Sequence, residues 1–325
     1  MKSQPRRTTR SSTQAQTAKS QKNNQTSTKS VTAESTARVK KPRAKARNES
    51  QKAFVSKAKA TAKAKPEQPN EAKKKEAESD AHSSLPSNIT TLAIEDDRVK
   101  TPITCHEYAP STATTPPGGN QPPLVFTHGA GGTLSAPAVV HFCTGFSSTS
   151  ATPLLAFQGS MNLGARVKGF HACHAHVTRT TEAHSKQVLV FGGRSMGARA
   201  AVVAATQIAS EKTDVEARLI LVSYPLQGPK DVRDQILLDL PERSEVLFVV
   251  GDRDTMCPIE LLEQVRRKMK AASRLVIVRG ADHGMNVKPA SKTREVGEET
   301  GRVAARWLCG EIENGSEALY VGDEG

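Results

Sequence analysis

The chain has 325 residues, 46 Lys+Arg against 33 Asp+Glu, a formal net charge of +13, and 36% hydrophobic but only 4% aromatic residues. The basic excess sits at one end: residues 1–80 hold 21 Lys/Arg and 7 Asp/Glu, net +14, which leaves residues 81–325 with 25 basic and 26 acidic side chains, net −1. A basic nucleic-acid-binding domain is therefore not implied for the body, no apolar run approaches the ~20 residues of a spanning helix, and the first thirty residues lack the apolar block of a secretory signal.

Residues 1–80 contain one aromatic, Phe54, and few branched aliphatics. Such a stretch cannot offset its chain entropy by burial, so a disordered basic tail is expected over residues 1–85. Its dense runs are Arg38–Arg47 and Lys57–Lys65. A solvated linker, a nuclear import signal and loose, salt-dependent contact with nucleic-acid phosphates all fit them. A mitochondrial transit peptide fits less well, because the segment has no apolar face.

From about Asn88 the pattern changes, and one domain is expected over residues 86–312. Ile89–Ile94 and Val99–Tyr108 read as an opening strand pair. Leu124–Thr127, Pro153–Phe157, Val188–Phe191, Leu219–Val222, Val246–Val250 and Leu275–Val278 are short apolar runs, as strands buried on both faces of a parallel sheet are. The Pro/Gly/Thr-rich stretch 110–123 reads as a loop. Helices are expected over Ser135–Phe146, Met161–Val177, Met196–Ser210, Pro229–Leu238 and Pro258–Ala271. A last one carries Val303, Ala304, Trp307 and Leu308 on one face. Alternating strands and helices imply an α/β architecture, a mostly parallel sheet with helices on both faces. Residues 313–325 read as a flexible end.

Open parallel sheets place their ligands beyond the carboxyl ends of the strands. Val188–Phe191 runs into Gly192-Gly193-Arg194-Ser195-Met196-Gly197, a G-x-S-x-G pattern between a strand and an Ala-rich helix. A nucleophile on so sharp a turn sits in strained backbone, and only small neighbours fit two residues to either side. Leu124–Thr127 ends in His128-Gly129-Ala130-Gly131-Gly132, whose backbone N–H groups suit an oxyanion. Ala130, with Gly129 beside it, is the expected second donor, and Met196 N–H the first. A tight turn or a phosphate loop is the alternative, but the GK[ST] ending of a P-loop is missing. Val246–Val250 leads to Asp252 and Asp254, and Leu275–Val278 to Asp282 and His283. Ser195, Asp254, His283 is thus an ordered Ser…Asp…His set in which serine attacks, histidine takes the proton and aspartate orients it.

THGAGG, GGRSMGARAA, SYPLQGPK, GDRDTMC with LLEQVRRKM, and ADHGMNV together resemble one α/β-hydrolase-like family. It includes testis-expressed protein thirty and the third subunit of the NSL histone-acetyltransferase complex, and is more distantly similar to dienelactone hydrolases. The resemblance covers roughly Leu124 to Trp307. It implies an α/β-hydrolase fold without a large inserted cap, with Ser195, Asp254 and His283 on triad-like positions. It also implies a choice between enzyme and chromatin-complex subunit.

Several other residues invite a role. His171, Cys173, His174 and His176 look like metal ligands, but one helix cannot converge all four, so no metal is expected. Cys257 reads as a buried thiol. Five scattered Cys without a CxxC pair suit free thiols in a reducing compartment. Tyr224 and Arg194 are candidate substrate contacts, with a structural turn and a surface ion pair as their alternatives. The leading expectation is a cofactor-free serine hydrolase of an ester, thioester or related acyl bond. It would be nuclear or cytoplasmic and without a membrane partner, with weak tail-mediated nucleic-acid contact or a protein complex partner. The competing expectation is an inactive, hydrolase-shaped interaction module.

Overall fold

In the computed structural model, residues 88–110, 122–180, 188–212 and 214–323 are described. The basic tail and most of the 110–123 loop lie outside them. The strands are β1 (Ile89–Ile94), β2 (Ile103–Tyr108), β3 (Leu124–Thr127), β4 (Leu154–Phe157), β5 (Val188–Arg194), β6 (Glu216–Val222), β7 (Ser244–Gly251), β8 (Ala272–Val278) and β9 (Ala318–Val321). The helices are α1 (Pro137–Thr149), α2 (Leu163–Thr180), α3 (Met196–Glu211), α4 (Gln235–Leu238), α5 (Ile259–Arg266) and α6 (Thr293–Leu308).

The strands form one sheet in the order β1-β2-β4-β3-β5-β6-β7-β8-β9. β1 and β2 pair antiparallel, from Ile89↔Tyr108 to Ile94↔Ile103, and β2 runs antiparallel to β4. From β4 onward every pairing is parallel. The carboxyl ends of β3, β4, β5, β6, β7 and β8 therefore open on one edge, and Gly129, Ala130, Ser195, Tyr224, Asp254 and His283 lie in loops leaving that edge, with Met196 in the first turn of α3.

The apolar runs are continuous because each strand is covered twice. In β7, Val246, Phe248 and Val250 belong to one buried layer, while Leu247 and Val249 belong to the other. This is the period-two alternation of a pleated strand, with both faces apolar. The first layer is completed by α2, α3 and α5 (Phe170, Ala201, Leu262), the second by α1 and α6 (Phe142, Phe146, Trp307). Phe126 stacks on Phe142 with centroids 4.7 Å apart, and Phe170 meets Phe157 edge-on at 4.9 Å. Each such fully buried ring contributes roughly 1.5–3 kcal/mol over leaving it exposed. α1 opens on Pro137, whose missing N–H costs nothing in a first turn.

Three expectations are corrected. The helix expected over Pro229–Leu238 is a single turn, α4. Gly228-Pro229 breaks the chain ahead of it, and residues 226–233 form a tight loop closed by a Gln227↔Val232 bridge and by Arg233 N–H donating to Leu226 O at 2.7 Å. The helix expected over Pro258–Ala271 ends at Arg266. The end expected to be flexible carries β9, parallel to β8 from Leu275↔Ala318 to Val278↔Val321. Its sequence is too short to announce itself. Partners elsewhere fix it: Arg274 donates to Glu317 O at 2.9 Å, and the Arg279 guanidinium lies 4.7 Å from the Tyr320 ring centre.

Candidate active site

The turn between β5 and α3 places Ser195 at φ 52°, ψ −115°, a conformation that L-residues rarely adopt. Its backbone is held there by Ser195 N–H donating to Val222 O at 2.9 Å and Arg199 N–H donating to Ser195 O at 3.2 Å. The glycines explain how the bend closes. A Cβ on Gly193 would lie 2.5 Å from the Gly197 carbonyl carbon, and one on Gly197 would lie 2.6 Å from Thr127 O and 2.7 Å from His128 O. Without side chains there, α3 starts directly against the end of β3. As the first residue of α3, Met196 has an N–H that no intrahelical carbonyl can reach.

Ser195, His283 and Asp254, from three loops, meet in one chain of hydrogen bonds. His283 Nε2 lies 3.0 Å from Ser195 Oγ, and His283 Nδ1 lies 2.9 and 2.8 Å from the two Asp254 oxygens. A nitrogen facing a carboxylate carries the proton, so Nδ1–H donates to Asp254 and the Nε2 lone pair accepts from Ser195 O–H. The Asp254 side chain is fully buried, and its Oδ1 also accepts from Met256 N–H at 2.8 Å. The His283 side chain is a quarter exposed, so the chain runs from the interior outward to the surface. The acid and histidine loops are zipped together. Asp252 N–H donates to Val278 O at 3.1 Å, Arg253 N–H donates to Ala281 O at 3.0 Å, and Asp252 Oδ1 accepts from Gly280 N–H at 2.8 Å. Asp282 turns away to accept from Asn286 N–H at 2.9 Å.

Gly129 borders Ser195 closely: a Cβ on it would stand 3.3 Å from Ser195 Cβ. Ala130 is exposed beside it, and Gly131 N–H is taken by the Met161 sulfur at 2.8 Å. His128 is buried, and its ring donates from Nδ1 to Gly129 O at 2.7 Å while Nε2 accepts from Gly159 N–H at 3.0 Å. Burial holds its pKa below the ordinary imidazole value, opposed by the bond to Gly129 and reinforced by the nearby Arg166 charge, so the ring is neutral.

Two candidate substrate contacts have other employment. Tyr224 has no exposed surface, and its hydroxyl donates to Arg233 O at 2.7 Å, bracing the 226–233 loop. Arg194 folds back to donate from Nη2 to the His283 carbonyl, tying the serine turn to the histidine loop. Cys257 is fully buried, and burial, with Asp254 adding to it, pushes its thiol up to about 12, which keeps it protonated.

The His/Cys cluster on α2 splits apart: His171 Nε2 lies 2.9 Å from Gln207 Oε1, Cys173 is buried, and His174 packs edge-on to Phe191 at 5.7 Å. Among the described residues, no three His, Cys, Asp or Glu side chains are arranged to hold a metal ion, and no helix is long and apolar enough to cross a membrane.

One residue at this edge escaped the sequence reading. Arg166 of α2 is fully buried and bonded to the loops that carry His128 and Gly159. The signal was its spacing. Arg166, Phe170, Cys173 and Val177 share one helix face, so a charge stands in line with three buried apolar residues.

Residues 120–307 match the Alpha/beta hydrolase domain family, which is more than half of the chain. The chain belongs to this family. Solved α/β-hydrolase folds agree with its architecture. An esterase from Pyrobaculum calidifontis superposes with a TM-score of 0.51 at 14% identity, covering 70% of this chain and 86% of its own. The ester-hydrolase EH1AB1 from the metagenome of Lake Arreo gives 0.50 at 14%, covering 69% and 83%. At such identities the likeness concerns the fold alone.

Proposed function

We propose that this α/β-hydrolase is an active serine hydrolase that cleaves an ester, thioester or related acyl bond. The observation that carries the reading is the Ser195–His283–Asp254 hydrogen-bond chain on a strained turn. In this reading His283 Nε2 removes the Ser195 proton as Oγ attacks the acyl carbon, and Asp254 stabilises the imidazolium. The oxyanion that forms accepts from Met196 N–H and from Gly129 or Ala130 N–H. His283 then returns the proton to the leaving group, and water releases the acid by the reverse path. No cofactor enters this cycle.

The motif set given above favours the narrower family of testis-expressed protein thirty and the NSL subunit, and a single catalytic domain over residues 86–312. The +14 tail adds salt-sensitive contact with polyanions and suits a nuclear or cytoplasmic setting.

A fluorophosphonate probe on the full chain tests the reading. Wild type is expected to label and Ser195→Ala is not. Labelling that survives the substitution removes Ser195 as nucleophile, and a wild type that never labels leaves the interaction-module reading in its place.

A further inference from the structure

Arg166 is an unusual arginine. Its side chain has no exposed surface, and among the described residues no carboxylate pairs with it. Four backbone carbonyls surround it instead. Nε donates to Ser160 O at 2.9 Å, Nη2 to Gly129 O and Gly159 O at 3.3 Å each, and Nη1 to His128 O. Burying a guanidinium against neutral partners costs more than burying an apolar side chain of the same size. Stability alone does not explain it.

The carbonyls it holds explain it better. In a trans peptide the C=O of one residue and the N–H of the next point in opposite directions. His128 C=O is drawn to Arg166. Gly129 C=O is drawn to Arg166 Nη2, to His128 Nδ1 at 2.7 Å and to Gly132 N–H at 3.3 Å. The N–H groups of Gly129 and Ala130 must therefore point away from this cluster. Gly129 borders Ser195, a Cβ on it standing 3.3 Å from Ser195 Cβ, so the side of this loop turned away from Arg166 adjoins the serine. A cation on the carbonyl side also polarises the peptide and strengthens its N–H as a donor.

We propose that Arg166 is a positioning residue for oxyanion stabilisation at Ser195: its guanidinium sets the orientation of the His128–Gly129 and Gly129–Ala130 peptides and sharpens their N–H donors. The inference rests on the serine-hydrolase reading. Arg166 touches no substrate, so its effect is confined to the step in which charge develops on the acyl oxygen.

The test uses the full chain with p-nitrophenyl acetate as substrate and phenylboronic acid as a tetrahedral, oxyanion-like ligand of the serine. Arg166→Lys keeps the charge but loses the fork. It is expected to lower kcat by about tenfold to a hundredfold with KM within about threefold of wild type, and to weaken phenylboronate in step with kcat/KM. A folded Arg166→Lys protein with wild-type kcat overturns the inference, as does a fall in kcat with phenylboronate affinity unchanged. If Arg166→Lys does not melt cooperatively, His128→Asn, which removes a second donor to Gly129 O, is read by the same two measurements. If neither variant folds, the two side chains are scaffold and the inference is overturned. A wild type that is never labelled by fluorophosphonate defeats the serine-hydrolase reading itself, a result distinct from all of these.

Discussion

Two buried arginines mark opposite ends of the sheet, and they are handled differently. Arg266, at the amino end of β8, pairs with Glu263 at 2.9 Å, donates to Ser273 Oγ at 3.1 Å and reaches Gly315 O at 2.7 Å, anchoring the approach to β9. Arg166, at the carboxyl end, meets among the described residues only carbonyls of the loops after β3 and β4. The backbone tells the same story. Among the described residues, the non-glycine residues with positive φ, Ser195, Ser223 and Met285, all follow the carboxyl ends of strands. Ser223 Oγ is buried there with no hydrogen-bond partner among the described residues. Unpartnered buried polar atoms occur at the amino end too, Ser244 Oγ at the start of β7 and Arg274 Nε near the start of β8, so the difference between the ends lies in the backbone. The carboxyl end is the one that stores backbone strain, and the two apolar layers between the ends offset that cost.

The sharpest way to break the contrast is at the serine. Ser195→Ala is expected to lower turnover by about a millionfold, near background, while leaving the melting temperature nearly unchanged. Ester hydrolysis paired with thermal melts reads both. Asp254→Asn should follow with a loss of about ten-thousandfold in kcat, because the amide favours the wrong His283 tautomer. Wild-type rates in that variant would remove Asp254 from the mechanism.

The other end should respond in stability instead. Arg266→Met leaves Glu263 and two carbonyls without their partner and is expected to cost on the order of 3 kcal/mol in urea unfolding. Its kcat per folded molecule should not change, and a selective loss of kcat would blur the division between the ends.

Acid sensitivity is expected in the layer between them. Burial, aided by Lys212, His171 and Arg98, lowers the His174 pKa to about 4, against about 6.5 in an unfolded chain. Between those values the unfolded chain takes up a proton that the native state refuses. Stability is therefore lost as pH falls from 6.5 to 4, by at most about 3 kcal/mol. His174→Leu should flatten that slope in unfolding measured at pH 7 and pH 5. The smallest effect is expected from Ser195→Gly, which relaxes the positive φ and should stabilise the inactive protein by about 1 kcal/mol over Ser195→Ala.

Much of the fold was legible because its signals are local. β3 stands where its apolar run predicted, since a strand covered on both faces has no polar positions to confuse the pattern. The G-x-S-x-G bend was legible because sterics admit few residues beside it. What escaped was set by distant partners. β9 is held by arginines some forty residues earlier, and the one-turn α4 follows a loop closed by Tyr224 and Arg233. Arg194 and Tyr224 invited substrate roles because a sequence does not show that a guanidinium or a phenol has been claimed by a carbonyl. Arg166 is the same lesson reversed, an arginine that the sequence analysis passed over and that lies inside.

The serine, the carboxylate and the imidazole ride on β5, β7 and β8, and each strand needs its neighbour to hold its register. A ribosome that has delivered the hydroxyl has still to deliver some ninety residues before the base emerges. In the serine-hydrolase reading, the growing polypeptide thus carries an ordinary alcohol throughout synthesis. The hydroxyl and the imidazole meet only when β8, the last parallel strand before the imidazole, docks on β7.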